Sequence, residues 1–455
     1  MRIDGWLAGL CLGRAMSQTV TMVYSAALPI LLREWEMSAT VAGTVSSGYQ
    51  IGYAVSLLVI STLADRMGAR LLYIASSMGG AVLTVAFAFF ARDYLSAQIL
   101  YTLVGLAIGG SYTTGLILIS ERYASERRGL ATGFYIASSS LGYIMSLALS
   151  GLTLSRGGYI LSFYVTALVT VAGGILSWVT LAKTPETVAA RQKQQSFGRE
   201  VLGNRPAMLL ITAYTIHCWE LLGMWAWTPA FLAACLVWRG AEAVSAAGLG
   251  AYVSAGFHLA GLVASFSMGA LSDRVGRARV IMVLASISTL CSLCFGWTIG
   301  LPWLFILAVG AVYSFACIGD SPVLSVGLTE VVTPSYLGSA FGIRSLFGFG
   351  AGAVSPIVFG AVLDWTNPHG LGQEYYSNWG WAFVVLGLPG FGVVWAVRSL
   401  KRFSTRGRVG SGRLQRRHPR REPPANGLPA CCRHAGLASA GSRQLRRQSP
   451  REKAF

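Results

Sequence analysis

The sequence predicts an all-α integral membrane protein: twelve transmembrane helices in two pseudo-symmetric six-helix bundles, with a disordered basic C-terminal tail. Three observations predict it. Of 455 residues, 54% are hydrophobic and only 12% charged, about half the roughly 25% charged share of a soluble domain. Apolar runs recur along the chain, each long enough for a crossing of roughly 20 residues. A short motif then returns after 208 residues, which divides the spans into two sets.

The first set covers residues 7–31, 41–61, 71–91, 95–119, 130–153 and 160–182. Span 1 follows Arg2 closely but is too long for a signal-peptide core and leads straight into a second span, so it reads as a retained helix. A polar linker, 183–206, carries five basic residues. The second set covers 207–235, 246–271, 279–299, 302–327, 338–362 and 379–398. Helices are the economical spanning element, because lipid leaves every backbone group to be satisfied within the chain. The alternating pattern of a membrane barrel is absent. The domains are thus a bundle at 1–182, the linker, a bundle at 207–400 and a tail at 401–455.

The net charge of +18 first suggests a nucleic-acid binder. Location removes that reading, because residues 401–455 hold 15 of the 36 basic residues and only two acids. Three readings of the tail stand: contact with anionic lipid, a nucleic-acid tail, and a frameshift-derived stretch of a GC-rich gene. No nucleic-acid partner is expected for the body. With the N-terminus inside, 15 basic residues of the body fall on the cytoplasmic side and four on the other. That bias places a multi-pass protein in the cytoplasmic (inner) membrane with both termini cytoplasmic. The eight cysteines show neither zinc nor disulfide-framework spacing. No nucleotide-binding loop or nucleophile elbow appears, so no enzyme, cofactor or metal is expected.

The repeat is specific. Ser61-Thr62-Leu63-Ala64-Asp65-Arg66-Met67-Gly68-Ala69-Arg70 follows span 2, and Gly269-Ala270-Leu271-Ser272-Asp273-Arg274-Val275-Gly276-Arg277 follows span 8. A second pair, Glu121 leading to Gly129 and Glu330 leading to Gly338, lies at an offset of 209. Gly68 and Gly276 suit a turn with positive φ. Asp65 can accept from a helix N-terminus, and Arg66 and Arg70 can pair with acids or lipid phosphates.

Over roughly residues 1–400 the chain resembles the major facilitator superfamily. The resemblance implies that the loop Asp latches the two halves at the cytoplasmic side, and that spans 1, 4, 7 and 10 line a central path. Ser61 and Ala69 depart from the loop pattern. Tyr101 stands where an Arg is usual in span 4, and span 5 lacks the Gly-Pro pair of the antiporters.

Charges inside spans are costly and are functional candidates. In span 1, Arg14, Gln18 and Thr21 share a helical face and suit an anion, with Arg14 snorkelling as the alternative. In span 7, His217 and Glu220 are i, i+3 neighbours, placed to hydrogen-bond and carry a proton or cation. In span 10, Asp320 precedes Pro322, which should kink the helix; Asp320 either serves the cavity or pairs with Arg344 of span 11. His258 reads as a helix–helix hydrogen bond. Gly105, Gly109, Gly110, Gly342, Gly348, Gly350 and Gly352 read as close-approach positions.

The expectation is a secondary active transporter of a small solute, favoured as an organic or inorganic anion on Arg14 and Arg344. It works by alternating access, with protons as the candidate coupling ion. Its partners are substrate and membrane lipid, and it acts as a monomer. The alternatives are an exporter of hydrophobic or cationic compounds and a non-transporting membrane sensor or scaffold.

Overall fold

The computed structural model describes residues 4–186, 198–333, 336–368 and 376–400. Every regular element among them is helical. Ten helical stretches, from Gly5–Glu34 to Gly380–Leu400, are long and apolar enough to cross a membrane. Two further facts give twelve crossings. The stretch Arg127–Leu181 leaves helical geometry at Gly157 and Gly158 and is two spans. The 29-residue helix Ala39–Met67 is span 2. An even number of crossings returns Leu400 to the face where Asp4 starts, here the near face; the opposite one is the far face.

Local chemistry sets the ends. Span 1 starts where Asp4 accepts from the Leu7 N–H (2.8 Å). Span 4 starts on a capping box of Asp93 and Ser96. Span 7 starts on Asn204, and span 8 (Ala243–Val275) on Glu242, which takes the Val244 and Ser245 N–H groups. Those two backbone bonds hold the Glu242 carboxyl below its usual range. Gly68 (φ +88°) and Gly276 (φ +97°) form the one-residue turns after spans 2 and 8, a backbone conformation costly for any residue with a Cβ.

Most spans outrun their apolar runs by a few residues, because capped polar turns extend a helix past the lipid. The helix that holds Pro322 runs without interruption from Trp303 to Val331. In span 1, Gly5–Ser17 gives way to a 3₁₀ turn, Gln18–Met22, before Val23–Glu34. Span 12 is also interrupted, between Gly380–Gly387 and residues 390–400.

Lipid offers helices no hydrophobic reason to associate, so close packing must hold them. A Cβ at Gly105 would meet the Tyr49 carbonyl oxygen and clamp spans 4 and 2 apart. Gly348 and Gly352 are likewise filled against Tyr214 and Leu222, whereas Gly342 and Gly350 have nothing within 4 Å, so close approach does not explain those two. The described cross-half contacts run from mid-membrane to the far face: Gly43 and Gly360 of spans 2 and 11, and Gly151 against Gly248 of spans 5 and 8.

Overpacking of this kind costs about 1–3 kcal/mol. Gly105→Val should therefore lower the melting temperature of the detergent-purified protein, while Gly129→Ala, which meets open space, should leave it unchanged.

Candidate functional site

Arg14 does not snorkel. It is 1% exposed. Its Nε donates to Ser139 Oγ (2.8 Å), and its Nη1 donates to Ser111 Oγ (3.0 Å) and Tyr135 Oη (3.1 Å). Two of those hydroxyls spend their own protons elsewhere: Tyr135 on the Ser111 carbonyl and Ser111 on the Ile108 carbonyl. Their lone pairs are thereby turned to the guanidinium. The rings of Tyr135 and Tyr112 lie 4.7 and 5.3 Å from it. Among the described residues no carboxylate forms an ion pair with Arg14; the three ion pairs are elsewhere.

The 3₁₀ turn begins immediately above. Winding at three residues per turn stacks i over i+3, so Thr21 donates to Gln18 Oε1 (3.0 Å). The Gln18 Nε2 is buried without a partner. Tyr101 donates to the carbonyls of Val20 and Thr21 (3.1 and 2.8 Å). Tyr101 thus braces the turn by satisfying carbonyls at the point where α-helical winding lapses.

In the second half the expected pairings are replaced. His217 Nδ1 contacts Asp320 Oδ1 at 2.8 Å rather than Glu220. Glu220 accepts from Ser288 Oγ (2.7 Å) of span 9. The i, i+3 spacing put His217 and Glu220 on one face, but neighbouring helices supplied nearer partners. Arg344 is not bridged to Asp320. Its Nη1 donates to Ser325 (2.6 Å), and it lies 4.0 Å from the Tyr214 ring and 4.6 Å from that of Phe341. Its Nε is buried without a partner. Tyr313 donates to Ser292 (3.0 Å).

Between the halves, Tyr143 of span 5 approaches Trp225 and His258, with ring centroids 5.1 and 6.2 Å away. His258 also lies tilted against Trp225 at 5.1 Å, so among the described residues it meets rings rather than the expected helix–helix hydrogen bond. A narrow cavity with room for little more than a water molecule is lined from both halves by Thr21, Tyr49, Tyr101, Leu222, Trp225 and Pro356.

The repeated loops fasten neighbours within each half. Arg70 donates to the Leu181 and Ala182 carbonyls, a favourable place for a cation at a helix C-terminus. Glu186 takes the N–H groups of Arg70 and Leu71. Arg277 joins Asp273 to Glu330 and donates to the Gly269 carbonyl. Arg66 and Arg274 are exposed. The implied cross-half latch is therefore not the contact that Asp273 makes. The Asp65 side chain lies outside the described residues.

Twelve crossings in two halves, with polar and aromatic side chains between them, define a multi-pass membrane protein. The Major Facilitator Superfamily model matches residues 10–251 and 241–448. The chain belongs to that superfamily. It is 25% identical over 414 residues to a gallate transporter of Pseudomonas putida, covering 81% of this chain and 85% of the relative. It is 23% identical over 368 residues to a putative niacin/nicotinamide transporter of Bacillus subtilis, covering 79% and 86%. It is 25% identical over 386 residues to a probable sulfoacetate transporter of Cupriavidus necator, covering 80% and 88%. The fold matches a bacterial homologue of the human lysosomal transporter Spinster in an inward-facing, unoccupied conformation, with TM-score 0.71 at 14% identity over 87% of this chain and 97% of that one. These relatives make it a transporter of small solutes.

Ser111, Tyr135, Ser139 and Ser288 were not singled out by sequence, since buried hydroxyls carry no pattern of their own. Removing the Tyr101 hydroxyl leaves two carbonyls short of a donor in an apolar setting, at about 1–3 kcal/mol. Tyr101→Phe should melt at a lower temperature than wild type, and its Val20–Met22 amides should exchange hydrogen faster.

Proposed function

We propose that the protein moves a small organic carboxylate across the cytoplasmic membrane by alternating access, with proton coupling. One observation carries the reading: the Arg14 charge is fully buried and has no carboxylate partner among the described residues. An uncompensated buried ion costs several kcal/mol, and a substrate anion would relieve it. Gln18 Nε2 is an unused donor between three and four turns along span 1 from the near end. Arg344 offers a further cation on the opposite half, without an ion-pair partner among the described residues. The cross-half rings of Tyr143, Trp225 and His258 suit a flat cargo, in keeping with the gallate and niacin named for two relatives.

Protons would couple through His217–Asp320 and Glu220, three ionisable groups buried together in spans 7 and 10. The near face is the cytoplasmic side by the 15-to-4 charge bias. Residues 1–182 and 207–400 are the moving bodies, the 183–206 segment ties them, and one copy supplies both. The 401–455 segment lies outside the described residues and takes no part in the reading. Export of hydrophobic cations through Glu220 and Asp320 fits less well, because both acids already have partners.

Uptake of radiolabelled gallate and nicotinate into proteoliposomes tests the proposal. Losing a charge-assisted hydrogen bond is worth roughly 1.5–3 kcal/mol, so Arg14→Gln should slow uptake about tenfold or more. The double variant Glu220→Gln/Asp320→Asn should lose the stimulation by an imposed pH gradient. Full stimulation in that variant would end the coupling reading while leaving the anion reading intact.

A further inference from the structure

Span 11 (Leu337–Thr366) ends at the far face, and Asp364 lies in its last turn. A carboxylate there is badly placed for its own helix, because the C-terminal end of a helix carries partial negative charge. The last turn contains no basic residue to offset it. Span 11 therefore gains nothing from Asp364.

Span 2 does. It begins at Ala39, on the other half of the molecule. Asp364 accepts from the Ala39 N–H (2.9 Å) with Oδ1, and from the Thr40 N–H (2.8 Å) and Thr40 hydroxyl (2.6 Å) with Oδ2. Tyr376 donates to Oδ1 (2.9 Å), and its hydroxyl also accepts from the Ala39 N–H (3.2 Å). Spans 4 and 8, which also start at the far face, take their acidic caps from their own adjoining residues, Asp93 and Glu242. Span 2 has its own Ser38 for the Val41 N–H, but its first two N–H groups depend on the opposite half.

The surrounding packing is of one kind. Gly360, one turn before Asp364, rests on the Ala39 carbonyl, and Gly43 rests on the Pro356 carbonyl. The halves meet here backbone to backbone, so a small separation breaks all of these contacts together.

We propose that Asp364 is a far-face latch: it closes that side by capping the N-terminus of span 2 from the opposite half, and it releases those N–H groups to water when the side opens. The latch rests on the two-state reading above but on neither the substrate nor the coupling ion. It biases the resting equilibrium toward the far-closed state, because each capping bond exists in that state alone.

Hydrogen–deuterium exchange of the full-length protein in nanodiscs tests this without substrate. Asp364→Ala should speed exchange at residues 39–41. It should also speed exchange at the separate seam where Gly151 of span 5 meets Gly248 of span 8, because opening the far face hydrates both seams. Coupling between such sites is typically on the order of 5–150-fold, so the rise at residues 148–152 and 246–250 should reach at least about fivefold. Asp364→Asn keeps the side-chain shape and should give a smaller rise in the same peptides. Faster exchange confined to residues 39–41 would reduce Asp364 to a local cap, and unchanged exchange in both variants would remove even that; either result overturns the latch. Uptake of radiolabelled carboxylate is scored separately, so loss of the anion reading would not mimic either outcome.

Discussion

A positive charge held in a low-dielectric interior without an ion-pair partner among the described residues is the constraint on which the rest of the first half is arranged. Arg14 cannot reach the near-face water, so three hydroxyls and two ring faces must hold it. Neutral dipoles and ring quadrupoles soften a guanidinium charge, at about 0.5–2 kcal/mol per cation–π contact, but they do not cancel it. Spans 1, 4 and 5 are bound together by that demand. Under the proposed function, that residual positive potential is what would hold a substrate anion.

Backbone satisfaction is the second demand, and it governs the point where helical winding changes. In lipid a lapse in α-helical winding exposes carbonyls that must find donors. Span 1 lapses between Gln18 and Met22, and Tyr101 answers. That places the unpartnered Gln18 Nε2 and the wall of the cavity at the one irregular point of the span. The same accounting applies at the far face, where the first N–H groups of span 2 find acceptors on span 11. Site and seal are thus built from the same currency of orphaned backbone groups.

Much of the fold was legible from sequence because lipid leaves few options: long apolar runs must be helices, and the doubled loop fixes two halves. The site was legible only as a set of costly residues. Arg14, His217, Glu220, Asp320 and Arg344 are all buried, but their partners come from other spans. The i, i+3 spacing of His217 and Glu220 could not reveal that Asp320 and Ser288 lie closer. Nor could the sequence announce the 3₁₀ turn of span 1, where no Pro or Gly occupies residues 18–22. Asp364 carried a signal of a different kind, an acid at the wrong end of its helix, whose use becomes visible only when span 2 is seen beside it.

The account turns on Arg14 as the group that holds the substrate's charge. Isothermal titration of the purified protein with nicotinate and with its neutral amide measures this directly, since the two ligands share a ring and differ in charge. The account predicts that wild type binds the carboxylate at least about tenfold more tightly, the equivalent of about 1.4 kcal/mol, and that Arg14→Gln abolishes the difference. Equal affinity for acid and amide in wild type, or a preference that survives in Arg14→Gln, would contradict it.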